Sequence, residues 1–206
     1  MASRNPLTVE VTRGGMVESR HRGAAVVMDA KGNAVHAWGE IERIVYPRSA
    51  IKPLQALAVV ETGAAEALAV TDAELALASA SHCGQPQHMD VVLAWLERIG
   101  LGADDLECGA HEPLDPETAK ARVRAGESPG PADNNCSGKH AGMLTTAKHL
   151  GEETAGYTRP GHPVQQRLRA ILTDIGGADL SQVPEGTDGC GIPVFGMPLS
   201  AMARAM

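Results

Sequence analysis

The spacing of apolar residues changes near residue 49, and that shift constrains the fold more than any other feature of the chain. Up to about residue 40, β-branched residues interleave with polar ones in "LTVEVTRGG", "MVESRHRG" and "AAVVMDA", runs punctuated by glycine, which is strand patterning. "MDAKGNAVHAWG" reads as a hairpin with Lys31-Gly32-Asn33 at its turn. From Ser49 onward the spacing is helical. "SAIKPLQALAVVETG" sets out Leu54, Leu57, Ala58 and Val60 at helical intervals, and Gly63 is its stop. Pro53 fits only a first helical turn, where a missing amide hydrogen costs little, so Ser49 is expected at or beside the N-cap. Thr71-x-x-Glu74 is a capping box. Helical spacing recurs in "HMDVVLAWLERIG", "GKHAGMLTTAKHLG" and "HPVQQRLRAILTDIGG", and a last helix opens from about Leu199. The expectation is an α/β or α+β chain, with a mainly antiparallel N-terminal sheet and helices packed on it.

Composition narrows the function classes. Hydrophobic residues make up 43% and charged residues 21%, which supports a packed core. Aromatic residues are only 2%, so Ala, Val, Leu, Ile and Met must fill the interior. With a net charge of -7 and few stacking rings, the chain lacks the footprint of a nucleic-acid binder. No stretch approaches 18 apolar residues, so no membrane span is expected. "MASRNPLTVEVTRGG" has no apolar region of a secretory signal. The four cysteines (Cys83, Cys108, Cys136, Cys190) are too sparse for a disulfide scaffold and point to a cytoplasmic protein with free thiols or a metal site.

Four clusters carry residues capable of chemistry. In "YPRSAIKPLQA", Ser49 and Lys52 sit about one turn apart at a helix start. A serine hydroxyl becomes a nucleophile when a base takes its proton, and a lysine whose pKa has fallen can be that base. Burial, the helix N-terminus and the neighbouring Arg48 all push in that direction. The competing reading is a capping serine followed by a solvated lysine. "NNCSGKHAGML" ends like a phosphate loop, but Asp133 stands where the first glycine is needed and His140 where Ser or Thr is needed, so that reading fails. What remains is a turn presenting Asn134, Asn135, Cys136, Lys139 and His140. "TDGCGIP" is a glycine-rich turn around Asp188 and Cys190, and "SASHCGQPQH" exposes Ser81, His82, Cys83 and His88. Ligand types for zinc are present, without a C-x-x-C pair; the plain alternative for each cysteine is a small buried hydrophobe.

Taken together and in order, "VEVTRGGMVESRHRGAAVVMDAKGNAV", "YPRSAIKPLQALAVVETGA", "ELALASASHCGQPQH", "CGAHEP", "NNCSGKHAGML", "HPVQQ" and "DGCGIP" resemble the asparaginase II family, the Rhizobium-type L-asparaginases. The resemblance implies a fold similar to serine β-lactamases and glutaminases, hydrolysis of L-asparagine to aspartate and ammonia, and a homodimer. It implies catalytic roles for Ser49, Lys52 and Ser81, substrate contacts from Arg48, His140 and Asp188, and zinc held by Cys136, Lys139 and Cys190. Arg48 would suit the substrate carboxylate and Asp188 its ammonium. Members of that family run on past the point where this chain stops, to a further active-site lysine, so residues 1–206 are expected to form a single incomplete domain. Two other readings compete: a non-catalytic remnant that binds zinc or an amino acid, and an S-x-x-K acyltransferase, whose S-D-N and K-T-G companions are missing.

Overall fold

A computed structural model describes residues 5–206. The strand-patterned start folds as two hairpins. β1 (Leu7–Arg13) and β2 (Met16–Arg22) pair antiparallel. Gly14 and Gly15 join them, both at positive φ (56° and 81°), as a two-residue turn matched to strand twist requires. β3 (Ala25–Met28) pairs with β4 (Ala34–Trp38), and the Asp29 carboxylate accepts the amide hydrogens of Lys31 and Asn33, so the turn forms where its residues predict it.

The single sheet expected from sequence does not form among the described residues; there are four separate two-stranded antiparallel ladders. β5 (Ile44–Val45) pairs with β8 (Met197–Pro198), and β6 (Glu185–Thr187) pairs with β7 (Pro193–Phe195). The physical reason lies in the first hairpin. Its strands bury no residue, Leu7, Val9 and Val11 remain exposed, and Arg13–Glu18 and Arg20–Glu10 pair across its surface. A hairpin with no buried face cannot recruit helices, and the helices pack on one another instead.

The helices are α1 (Lys52–Glu61), α2 (Ala64–Ala67), α3 (Asp72–Ala78), α4 (Pro86–Arg98), α5 (Pro116–Ala125), α6 (Ser137–Leu150), α7 (Pro163–Gly176) and α8 (Leu199–Ala205). The Thr71–Glu74 capping box closes reciprocally at the start of α3, and Glu74 is further gripped by Arg98 from α4. The larger core joins Val92, Trp95 and Leu96 of α4 to Ala141 and Leu144 of α6, with Ala78, Tyr157 and Leu168 around them. A smaller core sets Leu54 of α1 against Leu172, Phe195, Met197 and Ala201. α6 is buried over its first eleven residues, Ser137 to Ala147, and so runs through the centre of the molecule.

One local expectation is corrected. Ser49 is not the N-cap: it lies inside a 3₁₀ turn, Arg48–Ile51, and Ile51 stands at the cap position of α1. The Lys52 amide already donates to the Ser49 carbonyl, so Ser49 contributes its backbone where a side-chain cap was expected.

Candidate functional site

Lys52 opens α1 yet is 1% exposed, because α1 presses its first turn against the loop that follows α3. Its Nζ meets three acceptors: the Ser81 hydroxyl at 2.7 Å, the Ala80 carbonyl at 2.9 Å and the Asn135 carbonyl at 3.5 Å. Burial is the first cause holding Lys52 below the ordinary lysine range; the Cys136 sulfur opposes this and the Lys139 cation adds to it. Backbone carbonyls only accept. In the neutral amine, therefore, both N–H bonds go to carbonyls and the lone pair is left for the Ser81 hydroxyl. Protonated, the ammonium satisfies all three acceptors. One set of partners thus serves both states of a proton carrier.

Ser81 itself is exposed, so a deeply buried amine reaches a hydroxyl open to solvent. Its neighbour His82 locks the loop. The His82 amide donates to the Asn135 carbonyl (3.2 Å) and its Nδ1 accepts the Gly84 amide hydrogen (3.1 Å), which leaves Nε2–H for the Ser137 hydroxyl at 2.8 Å. Burial pushes His82 down to about 4, so the ring is neutral in neutral solution.

The second half of the site is built by the start of α6 and the turn before β7. Lys139 is buried and donates to the Cys190 sulfur at 3.1 Å. Cys136 and Cys190 are both buried, and the electrostatic influence of Cys190 and Lys52 on the Cys136 thiol joins the two halves. The Cys190 contact, with the nearby Lys139 and Lys52 cations, brings Cys136 down to about 6 against the opposing effect of burial. Cys190 is correspondingly pushed up, by that same contact and by burial. Among the described residues, no group of three or more His, Cys, Asp or Glu side chains is placed to hold a metal ion; the third donor that converges with the two thiols is an amine. His140 is fully buried, with its Nδ1 at 2.7 Å from the Tyr157 hydroxyl.

At the rim, Arg48 Nε pairs with Asp188 Oδ1 at 2.8 Å. Asp188 stands in the turn where the Asp188 amide donates to the Ile192 carbonyl and the Gly191 amide returns to the Asp188 carbonyl. Arg48 holds φ at +53°, a conformation that costs an arginine about 1–2 kcal/mol. Ser49, beside it, is exposed, and its hydroxyl makes no hydrogen bond among the described residues. Of the residues singled out from sequence, the fold thus gathers Lys52, Ser81, Cys136, Lys139, His140 and Cys190 around one centre. Arg48 and Asp188 form a charged pair, Ser49 stands apart from Lys52's hydrogen bonds, and Cys83 is an exposed free thiol.

Sequence reasoning gave no role to three residues the structure uses. Asn135 supplies a carbonyl to Lys52. His111 accepts the Asn135 amide hydrogen at Nε2 (2.9 Å) while its Nδ1–H is spent on the Glu112 carbonyl (2.7 Å), and so steadies that turn. Tyr157 backs His140. The one available signal was that all three lie in or beside turn segments rich in polar residues, which does not separate them from ordinary loop positions.

No individual curated protein matches the chain. The profile of the L-asparaginase II family matches residues 9–206, a span that takes in Arg48, Ser49, Lys52, Ser81, Cys136, Lys139, His140, Asp188 and Cys190 alike. No helix among the described residues is long and apolar enough to cross a membrane. A match running through every element that builds the buried lysine–serine–thiol centre shows that this chain belongs to the L-asparaginase II family.

Proposed function

We propose that the chain hydrolyses L-asparagine to L-aspartate and ammonia, with Ser81 as the nucleophile and Lys52 as its base. The observation that carries this reading is the buried Lys52 amine, two of whose partners can only accept hydrogen while the third is the Ser81 hydroxyl at 2.7 Å. Ser81 Oγ adds to the side-chain amide carbon as its proton passes to Lys52. The carbon–nitrogen bond then breaks, Lys52 returns the proton to the leaving nitrogen, and ammonia departs. Water hydrolyses the resulting ester, aspartate leaves, and Ser81 regains its hydrogen. Arg48 and Asp188 suit the two charges of a free amino acid. Arg48's side chain is 62% exposed, so their mutual ion pair contributes at most about 1 kcal/mol. An incoming carboxylate and ammonium can replace it with two new pairs at little cost.

A zinc ion belongs to the same reading. Two buried thiols and a buried amine come together here, a donor set soft enough for zinc. Cys136, Lys139 and Cys190 would hold it, the lysine as its neutral amine, so metal and proton compete there. When bound, zinc would act as a Lewis acid toward a substrate or water oxygen.

The test is ammonia release from L-asparagine by the chain and by its Ser81→Ala and Ser49→Ala versions, each checked by circular dichroism. Ser81→Ala is expected to lose at least about 100-fold in rate, the lower bound of general-base assistance, with the fold kept. Full activity in Ser81→Ala beside a dead Ser49→Ala would transfer the nucleophile to Ser49. No release from the folded parent chain would defeat the amidohydrolase reading.

A further inference from the structure

Tyr157 takes no part in the steps above, although it is 0% exposed and its hydroxyl lies next to the thiol centre through a single residue. It is held from three sides. The Gln165 side-chain amide donates to its carbonyl at 2.8 Å. The Glu107 carboxylate takes the Gly156 amide hydrogen and the Thr158 hydroxyl on either side of it. The Glu107 amide donates to the Tyr157 hydroxyl oxygen at 2.9 Å. A phenol hydroxyl has one hydrogen to give, and burial raises this one above its ordinary range, so it keeps that hydrogen. With the oxygen already accepting from Glu107, the acceptor within reach is His140 Nδ1 at 2.7 Å.

That assignment decides the ring. If Nδ1 carries the lone pair, the single hydrogen of a neutral imidazole sits on Nε2. A ring that accepts at Nδ1 carries that one hydrogen only and is neutral. His140 Nε2 is fully buried and meets no hydrogen-bond partner among the described residues. A nitrogen bearing hydrogen has no lone pair to offer a metal. It can only donate.

We propose that Tyr157 fixes the tautomer of His140, so that the ring carries its hydrogen on Nε2 and is barred from ligating a metal through that nitrogen. Tyr157 is then a positioning residue that acts through His140. The last clause rests on the zinc reading; the tautomer does not.

The test is long-range proton–nitrogen correlation spectroscopy of the chain labelled with ¹⁵N-histidine, first with a chelator present and then with zinc added. The expected His140 pattern is a protonated Nε2 and an unprotonated, hydrogen-bonded Nδ1, unchanged when zinc is added. Tyr157→Phe is expected to lose this bias and to show hydrogen on both nitrogens in exchange. A wild-type ring protonated on Nδ1, or a ring whose Nε2 loses its hydrogen to zinc, overturns the proposal. Should Tyr157→Phe fail to fold, the wild-type spectra decide alone. If no zinc binds to either protein, the zinc reading fails, and the zinc-free spectrum still decides the tautomer.

Discussion

Gly138 offers a quantitative test of how α6 is set into the molecule. It precedes Lys139 and lies against α3, where a Cβ built on it would stand 2.7 Å from the carbonyl carbon, Cβ and carbonyl oxygen of Leu77. Carbon contacts are comfortable near 3.5 Å, so Gly138→Ala forces the two helices apart by about 0.8 Å. Two of the obstructing atoms are backbone, which cannot rotate away, and that places the strain toward the upper end of the usual 1–3 kcal/mol for overpacking. Against it stands the gain of about 1 kcal/mol from replacing a helical glycine by alanine. The net expectation is a loss of about 2 kcal/mol, or about 4–8 °C in Tm for a chain of this size. Urea unfolding followed by Trp95 fluorescence measures it. Gly142→Ala is the control: its Cβ would meet Val59 Cγ2 at 3.2 Å, which a small shift of that side chain relieves, and Ala78 Cβ at 3.4 Å, an ordinary contact. It should stay within about 1 kcal/mol of wild type, where strain and helix propensity nearly cancel. A Gly138→Ala protein as stable as its parent would refute the close approach of α3 and α6.

Two further perturbations read the charges. Lys52 has a folded pKa below its unfolded value of about 10.4, so between the two the unfolded chain binds more protons and stability rises with pH. Lys52→Met lacks that rise. Measured in urea from pH 7 to pH 10 with a chelator present, wild type should gain on the variant by up to about 1.4 kcal/mol per pH unit inside the window; curves parallel over the whole range would show that Lys52 is not perturbed. At Arg48, the strained φ of +53° predicts that Arg48→Gly is more stable than Arg48→Ala by about 1 kcal/mol, since only alanine keeps the left-handed penalty. Both variants should raise the KM for asparagine by removing the carboxylate partner. Equal stabilities would dismiss the strain.

The elements that sequence made legible are those whose signals are local. The Thr71–Glu74 box, the hairpin turn at Lys31-Gly32-Asn33 and the helices α4, α6 and α7 stand where their residues predict. α5 was missed for a physical reason: "PETAKARVRA" buries none of its residues, so it carries no apolar stripe to detect. The first hairpin misled in the other direction, because alternation of valine with charged residues says that a strand forms and not that anything covers it. In the site, spacing joined Lys52 to Ser49, one turn away in sequence. The fold instead turns the amine inward, to Ser81, twenty-nine positions on. Chain proximity ranks partners by sequence distance, and burial chooses among acceptors that only tertiary contact supplies.

Burial also explains why the centre acts as one body. Two lysines and two thiols share an interior in which Lys52 is 1%, Lys139 4%, Cys136 6% and Cys190 4% exposed. An isolated buried ammonium would cost several kcal/mol, so the set is tolerable only if protons redistribute until charges pair or vanish. The opposed shifts follow from this: burial drives Lys52 toward the neutral amine, while the lysines and the Cys190 contact draw the proton from Cys136. Moving one proton from an ammonium to a thiolate leaves the net charge unchanged, so the interior holds the same charge in more than one protonation pattern and forms a proton reservoir. The hydroxyl of Ser81 lies at the open edge of this reservoir. In the proposed mechanism the Ser81 nucleophile needs an amine already denied water, and the first turn of α1 supplies one by facing the core.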